Sequence, residues 1–141
     1  MVDPADVAAI MYEGDHAVRA LGIEIVEVGP GRAVTRFVVD EQKANQHGVC
    51  HGGLIFTLAD TAMAYASNGA NEKAFASAAS IDFINGATVG MRLTAVAEEQ
   101  SLRGRAGIYD ISVTADEGTL IALFRGNTLR VGGAIVDDAT P

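Results

Sequence analysis

Apolar positions along the chain follow two rhythms. Gly22 to Val28 and Ala33 to Val39 are short runs rich in branched apolar residues, as strands are, and Gly29-Pro30-Gly31 between them supplies the turn. The same pattern predicts four later strands, over about Ser77 to Asn85, Met91 to Gln100, Ala106 to Ala115 and Leu120 to Arg130. Asp116-Glu117-Gly118 is the hairpin turn between the last two. Near the start, Asp3-Pro4 reads as an N-cap followed by proline in the first turn. It predicts a helix from about Pro4 towards Ala20, with Gly14 as its point of interruption.

The second rhythm is helical. After a polar, aperiodic loop from Asp40 to Cys50, a helix is expected from Gly52 or Gly53 to about Asn68, with Gly69 as its stop. Helix, two strands, one long helix and four strands fit an antiparallel sheet packed on a central helix, the α+β class. No repeat, low-complexity tract or charged linker divides the sequence, so residues 1–141 are read as one domain.

On a wheel of the long helix, Leu54, Ile55, Phe56, Leu58, Ala59, Ala62, Met63, Ala64 and Ala66 cover almost the whole circumference, the signature of a buried helix. Between Lys43 and Glu72 one side chain is formally charged at pH 7, Asp60. Burying an ionised carboxylate unpaired costs several kcal/mol, on the order expected after relaxation. No lysine or arginine stands one turn away; Phe56 and Ala64 flank it at four residues, and Thr57 offers only a hydroxyl. Two readings stay open at this point: an Asp at a solvent edge or satisfied by backbone donors, and an Asp kept for chemistry.

His51-Gly52-Gly53 opens that helix. Its orphan amides and the positive end of the helix dipole together make an anion site. In acyl transfer the anion to be held is the oxyanion on an attacked carbonyl; the alternative is a pair of glycines that only permit close packing. Gly52 and Asp60 are eight residues apart, roughly 12 Å of helix rise. One helix therefore does not bring both to one carbonyl, and a shared substrate would require Asp60 and Gly52 from two subunits.

Bulk composition narrows the partners. A net charge of −8 repels phosphate backbones and anionic lipid, so neither nucleic acid nor membrane is expected as a partner. The hydrophobic share of 49% suffices for a core. Cys50 is the single cysteine and no long apolar run opens the chain, so a cytoplasmic protein without disulfides is expected. His47, Cys50 and His51 lack the spacing of a structural zinc motif, and no metal or other cofactor is expected. Cys50 as a thiolate nucleophile lacks a visible relay and reads as a packing residue.

The run NQHGVCHGGLIFTLADTAMAYASN, Asn45 to Asn68, strongly resembles hotdog-fold thioesterases of the phenylacetate-degradation (PaaI) type. IMYEGDHAVRALGIEI, SIDFINGA, GIYDISV and IALFRGNTLRVGG extend the likeness over nearly the full chain, in order. The resemblance implies a sheet wrapped around the central helix, with dimers pairing into tetramers. It implies Asp60 as nucleophile or general base, Gly52 after His51 as amide donor to the thioester oxygen, Asn45 as a positioning residue, and Ser80 as a hydroxyl that holds water. It further implies a CoA thioester substrate whose nucleotide half meets basic residues. Arg125 with Gly126, and Arg130, are candidates, with Arg103, Arg105 and Lys73 comparable. Phenylacetyl-CoA or its ring-hydroxylated forms are the implied substrates, with other aryl or medium-chain acyl groups open. A hotdog dehydratase would need a histidine–carboxylate arrangement that this chain lacks, and known acyl-CoA sensors of the fold carry a DNA-binding segment for which there is no room.

Overall fold

A computed structural model describes residues 2–137. The N-terminal helical stretch is two helices, α1 (Pro4–Gly14) and α2 (His16–Ala20). The break falls at Asp15, whose φ of −91° and ψ of 76° leave the helical region, while the Asp3 side chain caps the Ala5 amide at 2.9 Å. Six strands follow: β1 (Glu24–Gly29), β2 (Arg32–Val38), β3 (Ala74–Phe83), β4 (Arg92–Arg103), β5 (Ala106–Ala115) and β6 (Leu120–Arg130). Between β2 and β3 lies the long helix α3 (Gly52–Asn68), and the loop before it contains a single 3-10 turn, Glu41–Lys43.

All neighbouring strands pair antiparallel in one sheet, ordered β1-β2-β4-β5-β6-β3. The sheet curls around α3, the hotdog arrangement. Its inner face presents Phe37, Leu93, Ala95, Ile111, Val113, Ala122 and Phe124 to Ile55, Leu58, Ala62 and Met63 of the helix, all buried. Each large apolar side chain sealed there contributes about 1.5–3 kcal/mol. The buried Thr35 hydroxyl donates to the Leu58 carbonyl at 3.1 Å and pins β2 to α3.

The fold corrects the sequence reading in three places. β3 begins at Ala74 instead of Ser77, because Ala74 is already paired with Arg130 and anchored by the Asn68 side chain. β4 runs on to Arg103, since β5 keeps pairing with it past a bulge between Glu99 and Ser101. Gly69 ends α3 without a left-handed turn: its φ is −62°, and the left-handed residue is Asn71 at φ 62°. Glycine is needed at 69 for space, because a Cβ there would overlap the Gly29 carbonyl oxygen.

Candidate active site

The long helix is sealed on three sides only. Gly53, Phe56, Thr57, Asp60 and Ala64, spaced three or four apart, form a stripe that keeps contact with solvent in the single chain. Asp60 is therefore half-buried. No hydrogen-bond or ion-pair partner meets its carboxylate among the described residues, and burial holds its pKa above the usual aspartate range. Thr57 does not assist it within the helix, since its hydroxyl donates to the Gly53 carbonyl at 2.9 Å. A carboxylate with a raised pKa, free lone pairs and a wet edge is suited to take a proton or attack a carbonyl.

The start of α3 is held from three directions. His51, the N-cap residue, makes no side-chain cap bond, and its backbone amide donates to the Lys43 carbonyl at 2.9 Å. Cys50 donates its amide to Ala87 at 2.8 Å; its thiol is buried, and burial pushes it up, away from a thiolate. Across the opening lies Phe83 at the end of β3, whose ring would be 2.8 Å from a Cβ built on Gly52. Glycine is thus required at 52. The amides of Gly52 and Gly53 have no acceptor among the described residues and remain free for an anion. A cleft of about 300 Å³ opens beside them, lined by Val49, Cys50, Gly52, Ile55 and Phe83.

Asn45 organises the loop leading into this corner. Its side-chain oxygen accepts from the amides of His47 at 2.9 Å and Val49 at 3.2 Å, and its own amide donates to the Val49 carbonyl at 2.8 Å. That leaves the side-chain NH2 as its free donor. His47 and His51 are exposed, and no group of side chains able to hold a metal ion occurs among the described residues.

Four sequence candidates occupy other places. Ser80 stands opposite Arg125 while its neighbour Ile81 stands opposite the buried Phe124, so strand alternation turns Ser80 to the outer face, away from α3. Arg125 is committed there too, with Nε 2.6 Å and Nη2 2.8 Å from the two Asp110 oxygens, and the pair lowers the Asp110 pKa. Gly126 faces inward against the helix, where a Cβ would overlap Met63 Sδ, so its missing side chain allows the helix–sheet contact. Arg130 is paired with Glu72 at 2.8 Å, at the opposite end of the sheet from Phe83.

Sequence reasoning missed Phe83, because nothing in spacing shows that a ring from β3 covers the helix start. It also missed the edge-on contact of Phe56 with Phe124, ring centroids 5.0 Å apart, which places an aromatic surface one turn from Asp60. Lys43 belongs to a segment that reads as a plain polar loop. It is buried, its ammonium 2.8 Å from Asp40 and 5.2 Å above the Phe37 ring.

Comparison with known proteins bears on the same residues. The thioesterase superfamily model matches residues 47–122, which include α3 and its glycines. Acyl-coenzyme A thioesterase PaaI of Escherichia coli (strain K12) is 43% identical over 132 residues, 94% of each chain. The solved structure of the E. coli PaaI protein from the phenylacetic acid degradation operon superposes with a TM-score of 0.91 at 42% identity, covering 93% of this chain and 95% of that one. A mutant of phenylacetic acid degradation protein PaaI from Thermus thermophilus gives 0.79 at 35% identity, covering 83% and 100%.

Proposed function

The chain belongs to the thioesterase superfamily and is an acyl-CoA thioesterase; from that premise we propose that it releases phenylacetate, or a ring-hydroxylated phenylacetate, from its CoA thioester. The observation that carries the catalytic assignment is the half-buried Asp60, unpartnered and raised in pKa, on a helix whose glycine amides are free. Asp60 either attacks the thioester carbonyl, giving a mixed anhydride that water then hydrolyses to the acid and free Asp60, or takes the proton of the water that attacks it. The Gly52 amide holds the oxyanion, the C–S bond breaks, and CoA leaves as the thiol after protonation. Asn45 positions the water or the carboxylate through its free NH2, and the exposed His51 lies beside the oxyanion corner. The partly exposed Phe56 ring, one turn from Asp60 and packed edge-on against the buried Phe124, favours an aryl acyl group.

The two groups come from different subunits of a dimer. β3 is a ten-residue strand at the free edge of the sheet, largely exposed on both faces. A long exposed edge strand with exposed Phe75 and Phe83 calls for a partner. Pairing with its own two-fold copy is antiparallel and brings the Phe83–Gly52 corner of one protomer alongside the α3 stripe that carries Asp60 in its partner. Two such dimers form the tetramer.

Mixing inactive chains tests this directly. Asp60→Ala and Gly52→Ala are each inactive alone, and refolding them together in equal amounts regains about a quarter of wild-type activity, because half the dimers are mixed and each carries one intact site. No recovery in mixed dimers confirmed by mass would place both groups in one chain and overturn the arrangement. A panel of acyl-CoA thioesters ranked by kcat/KM tests the acyl group. In ¹⁸O-labelled water under single turnover, an unlabelled acid with the label left in the Asp60 carboxylate identifies Asp60 as nucleophile; where the acid is labelled, trapping of an acyl–Asp60 anhydride separates the nucleophile from the base.

A further inference from the structure

Two asparagines of the chain precede a glycine, Asn68-Gly69 and Asn85-Gly86, and the fold treats them in opposite ways. Such a pair carries its own reaction, because glycine has no Cβ to shield its amide nitrogen from the side-chain carbonyl of the asparagine before it. Asn68 is withheld from that reaction. It is buried at the end of α3; its Nδ2 donates to the Ala64 and Ala74 carbonyls at 2.8 and 3.2 Å, and its Oδ1 accepts the Ala74 amide at 3.1 Å. Gly69 is buried beside it, against the Gly29 carbonyl.

Asn85 follows the end of β3, outside any helix or strand, and both it and Gly86 are exposed. One bond holds its side chain, from Nδ2 to the Leu120 carbonyl at 2.8 Å. The Gly86 amide has no acceptor among the described residues. Neither conformation nor space demands glycine at 86: its φ is not positive, and a Cβ would meet Val49 Cγ1 at 3.6 Å, an ordinary contact.

We propose that Asn85-Gly86 is a self-modification site, where deamidation ages the folded protein and disables the corner at Gly52. The Gly86 nitrogen bonds to Asn85 Cγ, the Cγ–Nδ2 bond breaks, and the proton of the Gly86 amide leaves with the ammonia. Water then opens the resulting succinimide at either carbonyl, giving aspartate or isoaspartate at 85. Two residues earlier, Phe83 covers Gly52; two residues later, the Ala87 carbonyl accepts the Cys50 amide at 2.8 Å. Isoaspartate lengthens the main chain by a methylene between those two contacts, and the new carboxylate has no hydrogen to offer the Leu120 carbonyl. The modification itself is independent of the catalytic reading; the loss of turnover rests on the role given to Gly52.

The test ages folded wild type and Gly86→Ala in warm, mildly alkaline buffer, with peptide mapping by mass and isoaspartyl methyltransferase as the probe. In folded wild type only Asn85 should convert, in urea both pairs should, and Gly86→Ala should slow conversion at 85 about tenfold or more. Thiol release should fall in step with the converted fraction, since a misplacement of about 1 Å at a site can cost about 10²-fold. Asn85 left intact in the folded protein, or Asn68 converting as fast, would overturn the site. Full conversion with turnover unchanged would overturn its disabling role, and Asp60→Ala still inactive beside it would leave the thioesterase reading standing.

Discussion

The two edges of the sheet are built differently. β1 has six residues, a bulge between Ile25 and Glu27, and glutamates 24 and 27 tied to Arg36 and Arg32, while α1 packs beside it. β3 has ten residues and leaves Phe75 and Phe83 more than half exposed. Its one bulge falls between Ala76 and Ala78. Short length, charge and a bulge are the means by which a protein closes an edge, whereas β3 uses few of them. The contrast teaches where the molecule ends: at β1 the fold is finished, and at β3 we read it as continuing into another copy. On that reading Asp60 and Gly52 both face the unfinished side.

The largest effect expected on that side is chemical. Asp60→Ala should lower kcat about 10³-fold or more, and Asp60→Asn nearly as far, with thiol release from acyl-CoA as the readout; an unchanged rate in both would remove Asp60 from catalysis. Next comes a charge on each edge. Ala78→Lys on β3 should dissociate the dimer in sedimentation and cut activity about 10²-fold, because like charges then meet across the two-fold axis. Val26→Lys on β1 should leave both mass and rate unchanged within about twofold. If the two substitutions act alike, the distinction between the edges is wrong.

The inner face answers to packing. Gly126→Ala pushes a methyl into Met63 and should cost about 1–3 kcal/mol, read as a lower midpoint in urea. The smallest effect is a gain. Burial raises the Asp60 pKa in the folded chain, so the folded state binds this proton more tightly than the unfolded one. Stability is then lost as pH rises through the window from the unfolded value to the folded one. Asp60→Asn should therefore raise Tm by a few degrees at pH 7 and by less near pH 3, a trade of stability for activity. The same titration removes activity below the raised pKa, as the carboxylate becomes protonated.

Much of the fold was legible because it follows from periodicity. The bounds of α3, β5 and β6 match the pattern of apolar residues, and the isolation of Asp60 among them is visible in the sequence alone. Strand ends shifted where pairing partners decided the matter, as at Ala74 and Arg103. The site was legible as residue types but not as directions. Ser80 and Arg125 turn outward because register sets the face of a strand, and a one-residue change in register would have turned them in. Asn45 could be singled out, yet its use as the organiser of its own loop depends on amides two and four residues on. The stripe on α3 escaped notice because a wheel records polarity and not which side the sheet leaves uncovered.

Phe83 joins two requirements in one ring. It belongs to the open edge and it fills the space where Gly52 would carry a side chain. On the dimer and oxyanion site proposed above, drift at this position would change subunit affinity and oxyanion geometry in the same step, and a lineage bearing this corner would not be free to loosen its assembly while keeping its turnover. Dilution should show the coupling in a living culture: at low expression, flux through the enzyme falls faster than the number of chains.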